Sequence, residues 1–175
     1  VVLRLNEIFE VKGGIKSGAN KFFLLEIVNP DDKPKGQALY VKNGYGHEFF
    51  MEERFLRPIL QTPKDIEFPR FHLNQKILNI RIFYCSLPKS ELKGTHALEY
   101  INWAEKYEVM IEKGKDRGKM IRGIHTIKTF ANKKPWYSLS LEGFPIAIQK
   151  IYNEAFRFVV SEDSIISFDN FHLLK

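Results

Sequence analysis

The stretch that decides the fold class is IFEVKGGIKSGANKFFLLEIV, residues 8–28, in which two apolar runs flank a glycine-rich centre. Residues 8–11 and 22–28 are rich in β-branched and aromatic side chains, and each run predicts a strand. Gly13 and Gly14 end the first strand, and residues 18–21 then form the tight connection of a hairpin-like pair. This part of the chain therefore favours antiparallel β-sheet.

The rest of the chain adds more strands. They are predicted at residues 37–41, 77–85, 136–141, 147–152, 156–160 and 165–168. Turns are predicted at Asn43-Gly44 and at residues 29–32, which read Asn-Pro-Asp-Asp.

Two helices are predicted from apolar residues at helical spacing. The first covers residues 52–60 and is short or kinked, because Pro58 lies inside it. The second runs from residue 96 to about 111, with Thr95 as its N-cap and Gly114 as its stop.

Residues 112–134 show no clean period and predict a loop that is helical at most in part. The sequence thus predicts a single domain over residues 1–175. Its class is α+β, with a mixed, mostly antiparallel β-sheet, a few short helices and a basic loop.

The composition narrows the class of protein. Of the 175 residues, 44% are hydrophobic and 14% aromatic, which is typical of a globular rather than a disordered chain. Cys85 is the single cysteine, so no internal disulfide can form, and a reducing, cytoplasmic location is expected. No apolar run approaches the ~18 residues of a membrane span and no signal peptide opens the chain, so no membrane partner is expected.

The net charge of +6 comes from one segment. Between residues 112 and 134, eight basic residues stand against two acidic ones, and this segment accounts for the whole excess. The basic residues are Lys113, Lys115, Arg117, Lys119, Arg122, Lys128, Lys133 and Lys134. A balanced globule with one basic loop is typical of a protein that binds a polyanion, although a solvated loop without a ligand has the same composition.

A smaller basic cluster coincides with the glycine-rich centre. It consists of Lys12, Lys16 and Lys21, with Gly13, Gly14 and Gly18 between them. Glycine permits a positive φ and a close approach of the backbone to a ligand, so a tight turn and a phosphate-binding loop both fit.

The sequence holds no motif for a metal, a nucleoside triphosphate or a dinucleotide. Residues 13–18 begin like a phosphate-binding loop, but Ala19-Asn20 follow where Lys-Ser/Thr is needed. One alternative is a Mg²⁺-dependent nuclease, in which Asp31 and Glu91 hold the metal and Lys93 activates water. Asp31 lies in a predicted turn, however, and short acid-x-Lys sets are common in charged chains.

Residues 9–23, FEVKGGIKSGANKFF, closely resemble the opening of the target-recognition domain of adenine-N6 DNA methyltransferases. In these enzymes the specificity domain follows the catalytic domain, as in fused type II and type I-like restriction-modification enzymes. The family opening usually reads Phe-x-Val-x-x-Gly-Ile-x-Thr-Gly-x-Asn-x-Phe-Phe. Later segments are similar in the same order, at residues 83–86, 89–105, 134–137, 161–163 and 169–172.

The chain departs from the family pattern at three places. Ser17 replaces the usual Thr, Ala104 replaces a usual Gly, and Lys133-Lys134 stands where Arg is usual before Trp-Tyr. The last change puts a bidentate contact at that position in doubt.

The resemblance implies a domain that does no chemistry and holds no cofactor or metal of its own. It would grip double-stranded DNA and present the target adenine to a catalytic methyltransferase domain of the same chain. We expect that domain upstream of Val1, with S-adenosylmethionine as its cofactor, in a parent enzyme with or without a fused endonuclease. Neither an Asn/Asp-Pro-Pro-Tyr/Phe motif nor a glycine-rich S-adenosylmethionine motif occurs in this sequence.

The resemblance and the two basic clusters together give the predicted DNA-binding residues. They are Lys12, Gly13, Gly14, Lys16, Ser17, Gly18, Asn20, Lys21, Lys115, Arg117, Lys119, Arg122, Lys128, Lys133 and Lys134. Asn20 suits the N6/N7 edge of adenine, and Arg117, Lys119 and Arg122 suit guanine or phosphate. Trp136 and Tyr137 are expected to be structural, with alternation placing one of them in the core. A module that binds RNA or an acidic partner is a further alternative.

Overall fold

The computed structural model describes residues 3–28, 37–66, 72–75, 78–111, 114–130, 132–151 and 156–175. The chain divides into two compact units. The terminal unit comprises Val1–Lys16, Arg57–Arg81 and Ser140–Lys175, and the central unit comprises Ser17–Leu56 and Ile82–Leu139.

The described residues form eleven strands and three α-helices, besides short 3-10 turns. In chain order they are α1 (Leu5–Ile8), β1 (Val11–Gly13), α2 (Asn20–Phe23), β2 (Leu24–Ile27), β3 (Ala38–Asn43), β4 (Glu48–Glu52), β5 (Leu56–Pro58), β6 (Ile80–Phe83), α3 (His96–Lys106), β7 (Glu108–Met110), β8 (Met120–Arg122), β9 (Phe144–Gln149), β10 (Phe158–Ile165) and β11 (Phe171–Leu174).

The strands form a four-stranded sheet of order β1-β11-β9-β10, a five-stranded sheet of order β4-β3-β2-β6-β5 and the two-stranded pair β7-β8. The sheets are antiparallel, and isolated parallel bridges such as Ile15 with Phe168 add a mixed element. The predicted class, α+β with mostly antiparallel sheet, is confirmed. None of the helices among the described residues has the length and apolar character to cross a membrane.

The terminal unit is organised around β11, which pairs with β1 on one side and β9 on the other. Its core consists of Leu60, Ile66, Leu78, Phe144, Ala147, Val159, Ile165, Phe171 and Leu173. Gly14 belongs to this packing, because a Cβ there would lie 2.0 Å from the Phe168 carbonyl oxygen. Close backbone contact therefore explains the glycine at this position.

The central unit is organised around α3 and Tyr100. Thr95 caps the helix by accepting a hydrogen bond from Leu98 N at 3.2 Å, as predicted. The buried Tyr100 hydroxyl donates to the Phe22 carbonyl at 2.7 Å and accepts from Asn43 Nδ2 at 3.2 Å. Helix α3 is thus fixed both to α2 and to the β3–β4 turn.

The prediction that α3 continues to residue 111 is wrong, as is the stop at Gly114. The helix ends at Lys106, and Glu108–Met110 pairs as β7 with β8. The apolar residues that extend the helical spacing, Tyr107 and Ile111, flank this strand, whose central residue Val109 is buried. Residues 112–134 correspondingly contain β8 and a 3-10 turn at Ile124–Thr126.

The hairpin predicted around residues 18–21 is also wrong. Strand β1 pairs with β11 and β2 pairs with β3, so the two runs belong to different sheets. In the first run, residues 8–11, Ile8 is the last residue of α1 and only Val11 belongs to a strand. The second opens with α2, because Phe22 and Phe23 N–H both donate to the Ala19 carbonyl.

The helix predicted at residues 52–60 is wrong as well. That segment contains the end of β4, a 3-10 turn at Glu53–Phe55 and β5. The strand predicted at residues 136–141 is a turn region in which both Trp136 and Tyr137 are buried. Both side chains are therefore structural, and the expectation that only one is in the core is wrong.

The strands predicted at residues 37–41, 77–85, 147–152 and 156–160 correspond to β3, β6, β9 and β10, with shifted bounds. The weak strand at 165–168 contributes only Ile165, the last residue of β10. The turn at Asn43-Gly44 is confirmed as the β3–β4 connection. The turn predicted at residues 29–32 lies outside the described residues.

Candidate nucleic-acid interface

The central unit contains an open cavity of about 770 Å³ between two parts of the chain that are distant in sequence. One wall is formed by residues 18–21, at the end of the glycine-rich stretch, and the other by residues of the segments 109–111, 114–121 and 126–129. The four lysines that line it are Lys21, Lys115, Lys119 and Lys128, and Asp116 is the acidic residue among them. The fold therefore joins the two predicted basic clusters in part.

The glycine-rich wall is held by short-range hydrogen bonds. Ser17 is 1% exposed, and its Oγ donates to Asn20 Oδ1 at 2.5 Å and accepts from Ala19 N at 3.2 Å. These bonds set the start of α2, where Asn20 and Lys21 are exposed. Ser17 therefore positions the wall, while Asn20 and Lys21 are its accessible polar side chains.

Gly18 allows this wall to lie against the opposite one. Its φ is +79°, and a Cβ there would lie 2.6 Å from Thr129 Cγ2. A side chain at this position would be strained both by its backbone angle and by the contact. The glycine thus permits the close approach that defines one edge of the cavity.

The basic wall contains the turn between β7 and β8 and the segment that follows β8. Gly118 N donates to the Ile111 carbonyl at 2.8 Å, and Ile111 N donates to the Lys119 carbonyl at 2.9 Å, which closes the turn. Asp116 accepts from Lys119 Nζ at 2.6 Å and lies 3.4 Å from Lys128 Nζ. Hydrogen bonds from Lys119 and Lys128 lower the pKa of the Asp116 carboxyl, so it is ionised at neutral pH.

Asp116 forms ion pairs with Lys119 and Lys128 without burying their side chains. The side chains of Lys119 and Lys128 are 69% and 91% exposed. Exposed ion pairs contribute little to stability and exchange readily with other anions. The lysines are therefore available to an incoming phosphate.

Lys12 and Lys16, which sequence reasoning also assigned to DNA, belong to the terminal unit. Lys12 Nζ lies 2.7 Å from Glu142 and 3.1 Å from Glu10, and its hydrogen bond to Glu142 is the main cause of its raised pKa. Lys16 Nζ lies 3.1 Å from Asp169, which Lys150 also contacts. Each of the two lysines thus faces a carboxylate within its own unit.

The remaining predicted residues lie outside the lining of this cavity. Arg117, Arg122, Lys133 and Lys134 are exposed on the central unit, whereas Gly13 and Gly14 belong to the terminal unit. Gly13 is exposed at the end of β1. The structure therefore places the four basic side chains on the same unit as the cavity, and the two glycines elsewhere.

Sequence reasoning missed the apolar and aromatic part of the lining. Val109, Ile111, Ile121 and Ile127 contribute to it, and Tyr45 lies with its ring centroid 5.8 Å from Lys21 Nζ. Tyr45 directly follows the predicted Asn43-Gly44 turn, which was the available signal. The isoleucines carry no such signal, since Ile121 is placed by the β7–β8 pairing and Ile111 and Ile127 by the segments that flank it.

The nuclease alternative involves residues that the structure describes only in part. Glu91 and Lys93 are exposed near the 3-10 turn Lys89–Leu92, while Asp31 lies outside the described residues. Within the described ranges, no three His, Cys, Asp or Glu side chains gather as a metal site.

Glu105 connects α3 to the segment that follows the basic loop. Its carboxylate accepts from Lys89 Nζ at 2.6 Å and from Trp136 Nε1 at 2.9 Å. Burial opposes ionisation, but the hydrogen bonds from Lys89 and Trp136 outweigh it and lower the pKa of Glu105. Trp136 is thereby fixed as a structural residue.

The chain matches no protein-family model, no curated protein and no solved structure.

Proposed function

We propose that this chain recognises duplex DNA as the target-recognition domain of an adenine-specific DNA methyltransferase. The observation that carries the proposal is the cavity of the central unit, where Lys21 meets Lys115, Lys119 and Lys128. The resemblance of residues 9–23 to such domains supports the same assignment from the sequence side.

The electrostatics favour a polyanion. Four lysines and one aspartate line the cavity, and Arg117, Arg122, Lys133 and Lys134 add exposed positive charge on the same unit. When such lysines and arginines neutralise DNA phosphates, the counterions condensed on the DNA are released, which gives affinity without any base contact. The lysines would hold the backbone, and a few polar or Arg side chains would read base edges.

The parent enzyme is part of the proposal. A catalytic methyltransferase domain of the same chain, with S-adenosylmethionine, would receive the target adenine once this domain has positioned the duplex. In this proposal the domain binds the duplex and sets its position, and it catalyses no reaction itself. Its location would be cytoplasmic, where DNA and a reduced Cys85 are compatible.

The proposal is tested by titrating a labelled duplex of about 20 base pairs with the chain at several salt concentrations. We expect a Kd of about 10⁻⁴–10⁻⁶ M for an arbitrary sequence at physiological salt, weakening steeply as salt rises. Absence of binding at low salt, or binding that salt does not change, would contradict the proposal.

Two additional experiments distinguish the proposed function from the RNA-binding and nuclease alternatives. Unlabelled RNA that displaces the duplex at equal or lower concentration would favour the RNA-binding alternative. Cleavage of the duplex with Mg²⁺, lost on Glu91→Gln, would favour the nuclease alternative.

A further inference from the structure

We infer that the β7–β8 pair is the element that enters the major groove, with Arg122 and Glu108 as the residues that read base edges. This inference rests on the proposed function and names the part of the surface responsible for sequence recognition. It is carried by the register of the two strands and by the exposure of their side chains.

The pair is a separate two-stranded antiparallel ribbon. Glu108 lies opposite Arg122, Val109 opposite Ile121, and Met110 opposite Met120. Successive residues of a strand point to opposite faces, so Val109 and Ile121 share one face and the other four residues share the second.

The two faces differ sharply in exposure. Val109 is 7% exposed and Ile121 is half-buried. Both line the cavity, as does Met110 from the second face. On the second face Met110 is 54% and Met120 59% exposed. Glu108 and Arg122 are exposed as well. The ribbon therefore buries more of one face and exposes the other to solvent.

The composition of the exposed face is typical of a surface that contacts a partner rather than of a surface that contacts only water. Two facing, exposed methionines keep apolar area in water, and flexible methionine side chains are common at surfaces that adapt to a partner. In the major groove the apolar partner of such side chains is the thymine methyl group.

Arg122 and Glu108 are available for base contacts. Within the described part of the chain, no hydrogen bond or ion pair engages either side chain. Arginine matches guanine O6 and N7 with two hydrogen bonds, and a carboxylate accepts from cytosine N4. A carboxylate gains nothing from phosphates, so Glu108 fits a role in specificity better than one in affinity.

The turn of the ribbon carries the complementary backbone contacts. Lys115, Arg117 and Lys119 lie in it, and Gly114 and Gly118 adopt φ of +85° and +88° to form it. The major groove is about 12 Å wide and admits a two-stranded ribbon. A ribbon with a basic tip and a mixed apolar and polar face therefore matches both the groove edges and the groove floor.

The test is selection of bound duplexes from a random-sequence library by the wild-type chain and by Arg122→Lys. This substitution keeps the charge but removes the two-pronged contact. We expect the wild type to enrich a site containing guanine, and R122K to lose preference at that position by about tenfold or more. The salt dependence of binding should stay unchanged, because the charge is retained.

Arg54→Lys is the matched control, because Arg54 is an exposed arginine of the same unit that lies in the 3-10 turn Glu53–Phe55, outside the predicted DNA-binding residues. It should keep the selected site, and thermal unfolding should show that both variants fold like the wild type. Enrichment that R122K leaves unchanged, or duplex binding without any enrichment, would overturn the inference. A wild-type chain that binds no duplex at all would instead defeat the proposed function.

The assignment of the β7–β8 pair to the major groove is tested separately by cross-linking. Met120→Cys creates an exposed thiol, while the native Cys85 is 2% exposed. We expect M120C to couple to a duplex with an activated disulfide tether on cytosine N4, in the major groove, several-fold faster than to one tethered on guanine N2, in the minor groove. Equal rates, or faster coupling in the minor groove, would contradict the assignment.

Discussion

Replacing Lys115, Lys119 and Lys128 together by alanine is expected to weaken duplex binding by about tenfold to a hundredfold near 0.1 M salt. All three lysines line the cavity, and Lys119 and Lys128 are gathered there by Asp116. Their loss removes three cations from the proposed phosphate-binding surface and leaves the Asp116 carboxylate without those two partners. The slope of log Kobs against log salt should fall by about 2–3, as expected for three lost phosphate contacts.

The matched control removes the same charge elsewhere. Lys64, Lys93 and Lys106 are exposed and lie outside both predicted basic clusters. Their triple alanine variant should lose affinity only slightly and keep most of the salt slope. Equal losses in the two triple variants would show that net charge, rather than the cavity, controls binding.

Replacing Tyr100 by alanine is expected to lower the free energy of unfolding by about 3–5 kcal/mol, as for other large buried aromatic residues. Tyr100 is 2% exposed, and its ring stacks on Phe22 with the centroids 4.8 Å apart. Burial raises the pKa of Tyr100 well above its usual range, so the hydroxyl stays protonated and donates. Chemical denaturation measures the loss.

Two comparison variants separate packing from hydrogen bonding. Tyr100→Phe keeps the ring but leaves the Phe22 carbonyl and Asn43 Nδ2 without their described partner, which should cost about 1–3 kcal/mol. Phe50→Ala removes a ring that is 41% exposed and should cost less than either. A Tyr100→Ala variant as stable as Phe50→Ala would contradict the central role of Tyr100.

This core residue also supports the candidate site. Phe22 belongs to α2, which begins with the cavity residues Asn20 and Lys21, and Asn43 begins the turn that carries Tyr45. The hydroxyl of Tyr100 joins both segments. We therefore expect destabilisation at Tyr100 to weaken DNA binding as well, even though the residue is buried.

Local signals explain what the sequence predicted well. The Thr95 cap and the Asn43-Gly44 turn depend on neighbouring residues, and both were predictable for that reason. Apolar runs likewise indicated β3, β6, β9 and β10, so the α+β class followed from the sequence.

The misassigned elements depend on partners far along the chain. Strand β1 pairs with β11 at the other end of the sequence, which no local pattern reveals. Tyr107 and Ile111 continue the apolar spacing of α3, but the pairing of residues 108–110 with residues 120–122 makes the segment between them a strand. Tertiary contacts thus overrode helical spacing, as they also did at residues 52–60.

The sequence predicted the positive charge of the candidate site but not the cavity that brings the charged residues together. The basic segment and Lys21 were identified from composition, whereas their meeting across one cavity requires the Gly18–Thr129 approach. Ser17 was grouped with the DNA-binding residues because of its hydroxyl, yet that hydroxyl is used within the loop. The carboxylates that contact Lys12 and Lys16 could not be predicted either, because Glu142 and Asp169 are distant from these lysines in sequence.

The most direct test of the central claim is to follow the backbone amide resonances of the chain while a duplex is added at low salt. If the cavity of the central unit is the DNA interface, the largest shifts will fall at residues 18–21 and 108–129 and will disappear as salt is raised. Shifts confined to the terminal unit, or no shifts at any concentration of duplex, would contradict the account.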